Sequence, residues 1–219
     1  MRKFIIIVLS LLIATYSFAF ADNIHHSIKN KIYFILGISP GSGIVDNDEI
    51  DFITGATKVG FKTGGSCELN IAKSRHHLET GLTINYQPQT ISYNDSGSGF
   101  IGKRKMKLVI LHLPISYNLH LFHDEYNKPL LITKLISYFT YIPFDGVADE
   151  GNVPDYTLEK FSREIAFSIT FFPFYSNWGV NFEGSRGVAK LYQDKYHRFS
   201  EQAVGGYSGV AWSIQYRFE

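Results

Sequence analysis

From Leu78 to Tyr86 the even positions of the chain carry Leu, Thr, Leu, Ile and Tyr, whereas the odd positions from Glu79 to Gln89 carry Glu, Gly, Thr, Asn, Gln and Gln. A period of two describes a β-strand with one face in an apolar medium and the other in a polar one. In a soluble sandwich the apolar face turns inward; in a membrane barrel it turns outward to lipid. This stretch fits both, so the choice rests on the remainder of the chain.

The pattern predicts eight strands, at about residues 31–39, 58–72, 76–93, 107–121, 129–144, 161–171, 177–183 and 209–218. The fifth is apolar on both faces apart from Lys134 and a few hydroxyls, which leaves its facing open. The connections alternate in length. Those after the second, fourth and sixth strands are short ("KSRH", "FHDEYNK", "PFYSN"). Those after the first, third, fifth and seventh are longer and rich in Gly, Asp and Asn ("PGSGIVDNDEIDFITGA", "NDSGSGFIGKR", "DGVADEGNVPDYTLEK" and the segment around "QDKYHRFSEQAVG"). Short periplasmic turns opposite long external loops are the habit of outer-membrane barrels. Most of the segments also reach the ~9–11 residues a membrane strand needs, against ~5–6 in ordinary sheets. Closing the sheet removes the edges that long strands would expose. The expected fold class is therefore all-β, an eight-stranded antiparallel up-and-down transmembrane β-barrel. Leu78, Leu82, Ile84, Tyr86, Leu113, Ile115, Phe167, Ile169, Trp212 and Ile214 then face lipid.

The first residues, "MRKFIIIVLSLLIATYSFAFAD", place Arg2 and Lys3 before an apolar run and small residues around Ala21. This reads as a secretory signal peptide over residues 1–21, leaving a barrel domain over 22–219. Its removal takes the 21 basic residues to 19 against 20 acids, a formal charge of −1. No nucleic-acid partner is expected from that balance. Cys67 is the single cysteine, so no internal disulfide staples the fold and no lipid anchor sits near the cleavage point.

The stretch "FKTGGSCELNIAKSRHHLETGLTINYQPQTISY", then "LHLPISYNLHL" and the terminal "GGYSGVAWSIQYRF", resemble the outer-membrane-protein β-barrel domain family, the small barrels akin to OmpA, OmpX and PorT. Leu111-His112-Leu113-Pro114-Ile115 matches a strand start of that family. The resemblance implies the fold rather than one activity. It also implies that Trp212, Ile214, Tyr216 and Phe218 form a C-terminal signal read by the barrel-assembly machinery, with Glu219 departing from the pattern.

An eight-stranded barrel is filled by its own side chains. The inward charges Glu68, Glu79, Lys134, Glu164, Glu183 and Arg217 thus need partners, because an unpaired buried charge is costly. A plug of paired charges is expected, with Arg217 meeting Glu68 or Glu79. His76 and His77 beside the first short turn, and His120 and His123 beside the second, lie at one end, but no ligand spacing is present. They are expected as solvated or interfacial residues, with no metal and no cofactor. His112 and His120, about 26 Å apart along one strand, cannot share an ion. Nor does Ser, His and acid form a catalytic motif: His112 and Ser116 would stand about 13 Å apart, so no catalytic residue is expected.

Asp145, Asp149, Glu150, Asp155 and Glu159 make one external loop acidic and are expected as solvated loop residues. Tyr33, Tyr93, Tyr141, Phe144, Trp178 and Tyr192 suit interfacial girdles. The chain is thus expected to be a monomeric, non-enzymatic outer-membrane barrel of a bacterium with two membranes. Its role would be structural, adhesive or narrowly porin-like, with lipid around it and an external partner at its loops. The alternatives are a soluble periplasmic or secreted β-protein with an apolar ligand inside and, further off, a lipid-modifying enzyme.

Overall fold

The computed structural model describes residues 31–39, 53–70, 75–97, 99–125, 128–173, 176–187, 192–195, 202–205 and 208–218. The expected signal peptide and Glu219 lie outside them. Every regular element described is a strand, and no helix among the described residues is long and apolar enough to cross a membrane.

Eight long strands form the wall: β1 (Lys31–Ser39), β3 (Gly60–Asn70), β4 (His76–Asp95), β5 (Phe100–His123), β6 (Pro129–Gly151), β8 (Phe161–Phe171), β9 (Trp178–Gly187) and β12 (Ser208–Phe218). Each pairs antiparallel with its neighbours, and the β1–β12 and β4–β5 ladders close the ring. β2 (Ile53–Thr57) adds to the outer half of β4, pairing Ile53 with Tyr93 and Thr57 with Gln89. Away from the ring, β7 (Tyr156–Leu158), β10 (Tyr192–Lys195) and β11 (Gln202–Gly205) form a small three-stranded sheet.

The medium on each side is set by the side chains. Outward positions carry Ile32, Phe34, Leu36, Phe61, Leu78, Ile84, Ile115, Leu135, Phe167, Ile169, Val180, Phe182, Trp212 and Ile214, all left exposed. Inward positions carry Lys62, Glu68, Glu79, Asn85, Asn118, Lys134, Glu164, Asn181, Glu183, Gln215 and Arg217, all buried. A water-soluble protein would bury the first set and expose the second, so the apolar belt fits only a lipid surround. The soluble alternative with an apolar ligand in the barrel is overturned by this arrangement. β6, whose facing was open, turns Ile132, Lys134, Ile136, Tyr138, Thr140 and Ile142 inward.

β4, β5 and β6 run 20, 24 and 23 residues, about twice a membrane crossing. Part-way along β4 and β5 both faces change polarity, the inner face sooner on β5 than on β4. On β4 the outward face passes from Leu82, Ile84 and Tyr86 to Thr90, Ser92 and Asn94, while the inward face passes from Asn85, Gln87 and Gln89 to Ile91 and Tyr93. On β5 the inward residues beyond His112 are Ile110, Leu108 and Met106, and the outward ones become Lys107, Lys105 and Lys103. Such a double reversal marks where the sheet leaves lipid for water. Beyond it, Ile91, Tyr93, Phe100, Met106, Leu108, Ile110 and Ile142 form an apolar core, covered by Val147, Val153, Tyr156 and Leu158.

This head corrects two expected loops. "NDSGSGFIGKR" is the tip of a continuous hairpin: Asp95 Oδ1 accepts from the Gly97 amide at 2.9 Å, and Gly99 takes a positive φ of 79° that glycine adopts freely. The first half of "DGVADEGNVPDYTLEK" belongs to β6. Between the Val109–Phe144 and Leu111–Tyr141 pairs, Ile142 and Pro143 oppose the single residue Ile110, a bulge that suits a proline lacking its N–H. It shifts β6 by one residue, so that Val147 and Asp149 turn toward the head's interior.

Candidate functional site

The head is fastened by one arginine. Arg104, at an inward position of β5, donates from Nε to Asp149 Oδ1 and from Nη2 to Asp149 Oδ2, each at 2.8 Å, and from Nη2 to the Pro154 carbonyl at 2.8 Å. Its guanidinium also lies 4.3 Å from the Tyr156 ring centroid. A planar five-donor group is suited to such a bidentate, stacked site. The acids expected as solvated are therefore largely paired: Asp149 with Arg104, Glu150 with Lys105 and Asp145 with Lys160 at 3.6 Å. The Lys105 hydrogen bond holds the Glu150 carboxyl below its ordinary range. The reason is register, since Lys103, Arg104 and Lys105 stand opposite Glu150, Asp149 and Ala148.

The membrane-spanning interior holds two polar clusters. In the middle, Lys62 Nζ bonds both Glu183 oxygens, at 2.8 and 3.0 Å, and donates to the Tyr138 hydroxyl at 3.0 Å. Glu164 faces His112, whose Nδ1 is 3.8 Å from Oε1. A cavity with room for about one water lies among Lys62, Asn85, His112, Glu164 and Glu183. Thr170, Asn181 and Ser213, also buried at inward positions, are joined to one another by bonds of 2.9 and 3.2 Å.

Toward the short-turn end, Glu68 and Glu79 stand directly opposite each other in the β3–β4 ladder, both inward and both buried. Asn118 Nδ2 bridges them, donating to Glu79 Oε2 at 2.6 Å and Glu68 Oε2 at 3.1 Å. Lys134 completes Glu79 at 2.7 Å. His120 Nε2 meets Glu68 Oε2 at 2.8 Å, and its ring stacks on His77 with centroids 3.8 Å apart. Tyr33, Ile132 and Phe172 form a buried apolar cluster at inward positions.

All six charges expected inside are buried, but their pairing differs. Arg217 meets neither Glu68 nor Glu79: it donates to the Pro129 carbonyl at 3.4 Å and lies 4.5 Å from the Phe172 ring centroid. Lys62, on the polar face of its strand, was the missing partner for Glu183. The expectation of solvated histidines holds for His76, which is exposed against Tyr117, but fails for His77 and His120, which are buried at inward positions. Tyr33 and Tyr93 are likewise buried inside rather than in a girdle, because they fall on the inward parity of β1 and β4. Phe144 and Trp178 are exposed on the outside, and Tyr192 has no described side chain.

No family model matches the chain, and no curated protein matches it. Among solved structures, it is similar to the translocator domain of the autotransporter NalP from Neisseria meningitidis. That match has 9% identity and a TM-score of 0.36, over 95% of this chain and 96% of that one. It is also similar to an outer membrane channel from Pseudomonas putida F1, at 8% identity and a TM-score of 0.29, over 90% and 97% of the two chains. At those scores the likeness carries no weight of its own. The barrel stands on this chain's closed ladder and inverted polarity.

Proposed function

We propose that this protein is a non-conducting, monomeric outer-membrane barrel of the small OmpA-like kind that carries a folded binding head on its external side. The observation that supports this most is the extension of β4, β5 and β6 beyond the apolar belt around a core of their own. A strand needs no second core merely to turn round, and a rigid head on an anchored wall is what an adhesive or partner-binding surface requires. The paired interior charges and the Tyr33–Ile132–Phe172 cluster support a structural rather than porin-like wall. No chemistry is assigned to it. On this reading the expected C-terminal signal, Trp212 to Phe218, guides assembly, and the short turns lie in the periplasm.

Intact cells treated with a membrane-impermeant amine reagent test the reading. Labelling of Lys103, Lys105 and Lys107 on the head but not of Lys128 at a short turn, in a protein that is heat-modifiable on gels, is the expected result. A protein recovered in the soluble fraction, or steady ion conductance in planar bilayers, would overturn it.

A further inference from the structure

We propose that Glu68, His77 and His120 form a binding site for a first-row divalent cation, with Zn²⁺ the best match. The carboxylate oxygens and ring nitrogens of the three lie within 4.8 Å of one another, and all three residues are buried. Two imidazoles and a carboxylate are a recurrent zinc donor set that leaves a fourth position for water.

Two orphaned atoms point at the same spot. Glu68 Oε1 and His77 Nδ1 have no hydrogen-bond partner, yet they stand 3.7 Å apart. That is too long for a hydrogen bond. It is close to the roughly 3.4 Å that separates two ligands of a tetrahedral ion with bonds of about 2.0–2.1 Å. The third ligand, His120 Nε2, now bonds the other carboxylate oxygen, Oε2, at 2.8 Å, a bond it gives up when it turns to the ion. A bound cation would thus take the place of the proton now shared there, with His120 carrying its remaining proton on Nδ1.

Charge favours the same occupant. Glu68 and Glu79 oppose each other in register, and Lys134 answers Glu79 alone. Among the described residues no lysine or arginine is at ion-pair distance from Glu68, although Lys31 stands opposite it in the β1–β3 ladder, so its ion-pair partners there are the two histidines. A buried carboxylate is costly unless paired or coordinated to a metal. Asn118, bonded to both glutamates, would orient Glu68 from behind, as outer partners of metal ligands do. The ligands sit near the ends of β3, β4 and β5, within reach of the short-turn rim. The proposal is independent of whether the head binds a partner.

Full-length protein folded in detergent and stripped with EDTA is titrated with Zn²⁺ against a chromophoric chelator. The expected result is uptake of about one ion per chain, weakened on the order of 100-fold or more in H77Q, H120Q and E68Q and unchanged in H76Q, whose histidine lies outside on the same turn. No stoichiometric uptake, as a simple imidazolium–carboxylate pair would give, overturns the proposal. So does uptake lost in H76Q, or retained in both H77Q and H120Q. Should the buried substitutions prevent folding, Co²⁺ added to the unaltered protein decides: intense visible bands of a four-coordinate nitrogen–oxygen site support it, and the pale spectrum of aqueous Co²⁺ overturns it.

Discussion

Tyr86 stands opposite Val109 in the β4–β5 ladder, and two residues farther from the short-turn end Pro88 stands opposite Lys107. Within that step the outer face passes from apolar to cationic, while the inner face turns apolar after His112 on β5 and, farther along, after Gln89 on β4. One ladder therefore has lipid outside and a polar interior below, and water outside and an apolar interior above.

This boundary predicts unequal tolerance of charge. Ile115 lies on the outer face near the middle of the belt, and Ser92 on the outer face of the head. Ile115→Arg is expected to lower stability by about 2–4 kcal/mol, as a cation at the bilayer midplane does, and Ser92→Arg by roughly 0–1 kcal/mol. Urea unfolding in lipid vesicles measures both. Equal costs would mean that the belt does not end at Tyr86 and Val109.

Arg104 should govern the head without governing the wall. Arg104→Ala removes two bonds to Asp149, one to Pro154 and the stack on Tyr156, and leaves a partly exposed Asp149 behind. The expected cost is about 1–3 kcal/mol, discounted for the exposure of Asp149. It should appear as protease cuts near Pro154 while the unboiled gel mobility stays that of the folded barrel. Loss of both together would show that head and wall unfold as one unit.

The wall was legible in the sequence because each strand's period of two survives in three dimensions. β1 and β8 match the expected residues 31–39 and 161–171, and Leu78, Ile84, Ile115, Phe167, Trp212 and Ile214 are exposed on the outer face. The head was not, although its trace was present: residues 108–111 are apolar on both faces because they straddle the reversal. Gly, Asp and Asn near Asp95 and Asp149 suggested loops, whereas cross-strand pairing of Lys103–Lys105 with Asp149 and Glu150 makes that stretch a ladder. The clusters were hidden for a different reason. Glu68, His77 and His120 lie on three strands, and only the ladder register brings them together. Inward parity at a shared short-turn end was the available signal, and it would have separated His77 from its exposed neighbour His76.

The bulge at Ile142–Pro143 makes a prediction about parity. Deleting Pro143 should restore regular pairing and turn Val147 and Asp149 away from the head, because a one-residue slip moves every later side chain to the opposite face. The head should then become protease-sensitive, as in Arg104→Ala. Pro143→Ala keeps the residue count and should cost less than about 1 kcal/mol. If the deletion were tolerated as well as the alanine, the bulge would not be setting the facing of β6.

The buried pair of Lys62 and Glu183 separates the contribution of charge from that of packing. Lys62→Ala leaves Glu183 buried without its cation and deprives the Tyr138 hydroxyl of a donor, so a loss of about 3–5 kcal/mol is expected. Replacing both by apolar residues of similar size, Lys62→Met with Glu183→Leu, removes the uncompensated charge and should recover most of that loss, because a buried ion pair is often no more stabilising than a packed apolar one. Unfolding of Lys62→Met, Glu183→Leu and the double variant in the same vesicles gives the coupling directly. A double variant as unstable as the sum of the single ones would show that Lys62 and Glu183 act independently, and that the middle of the barrel is held by something other than their pairing.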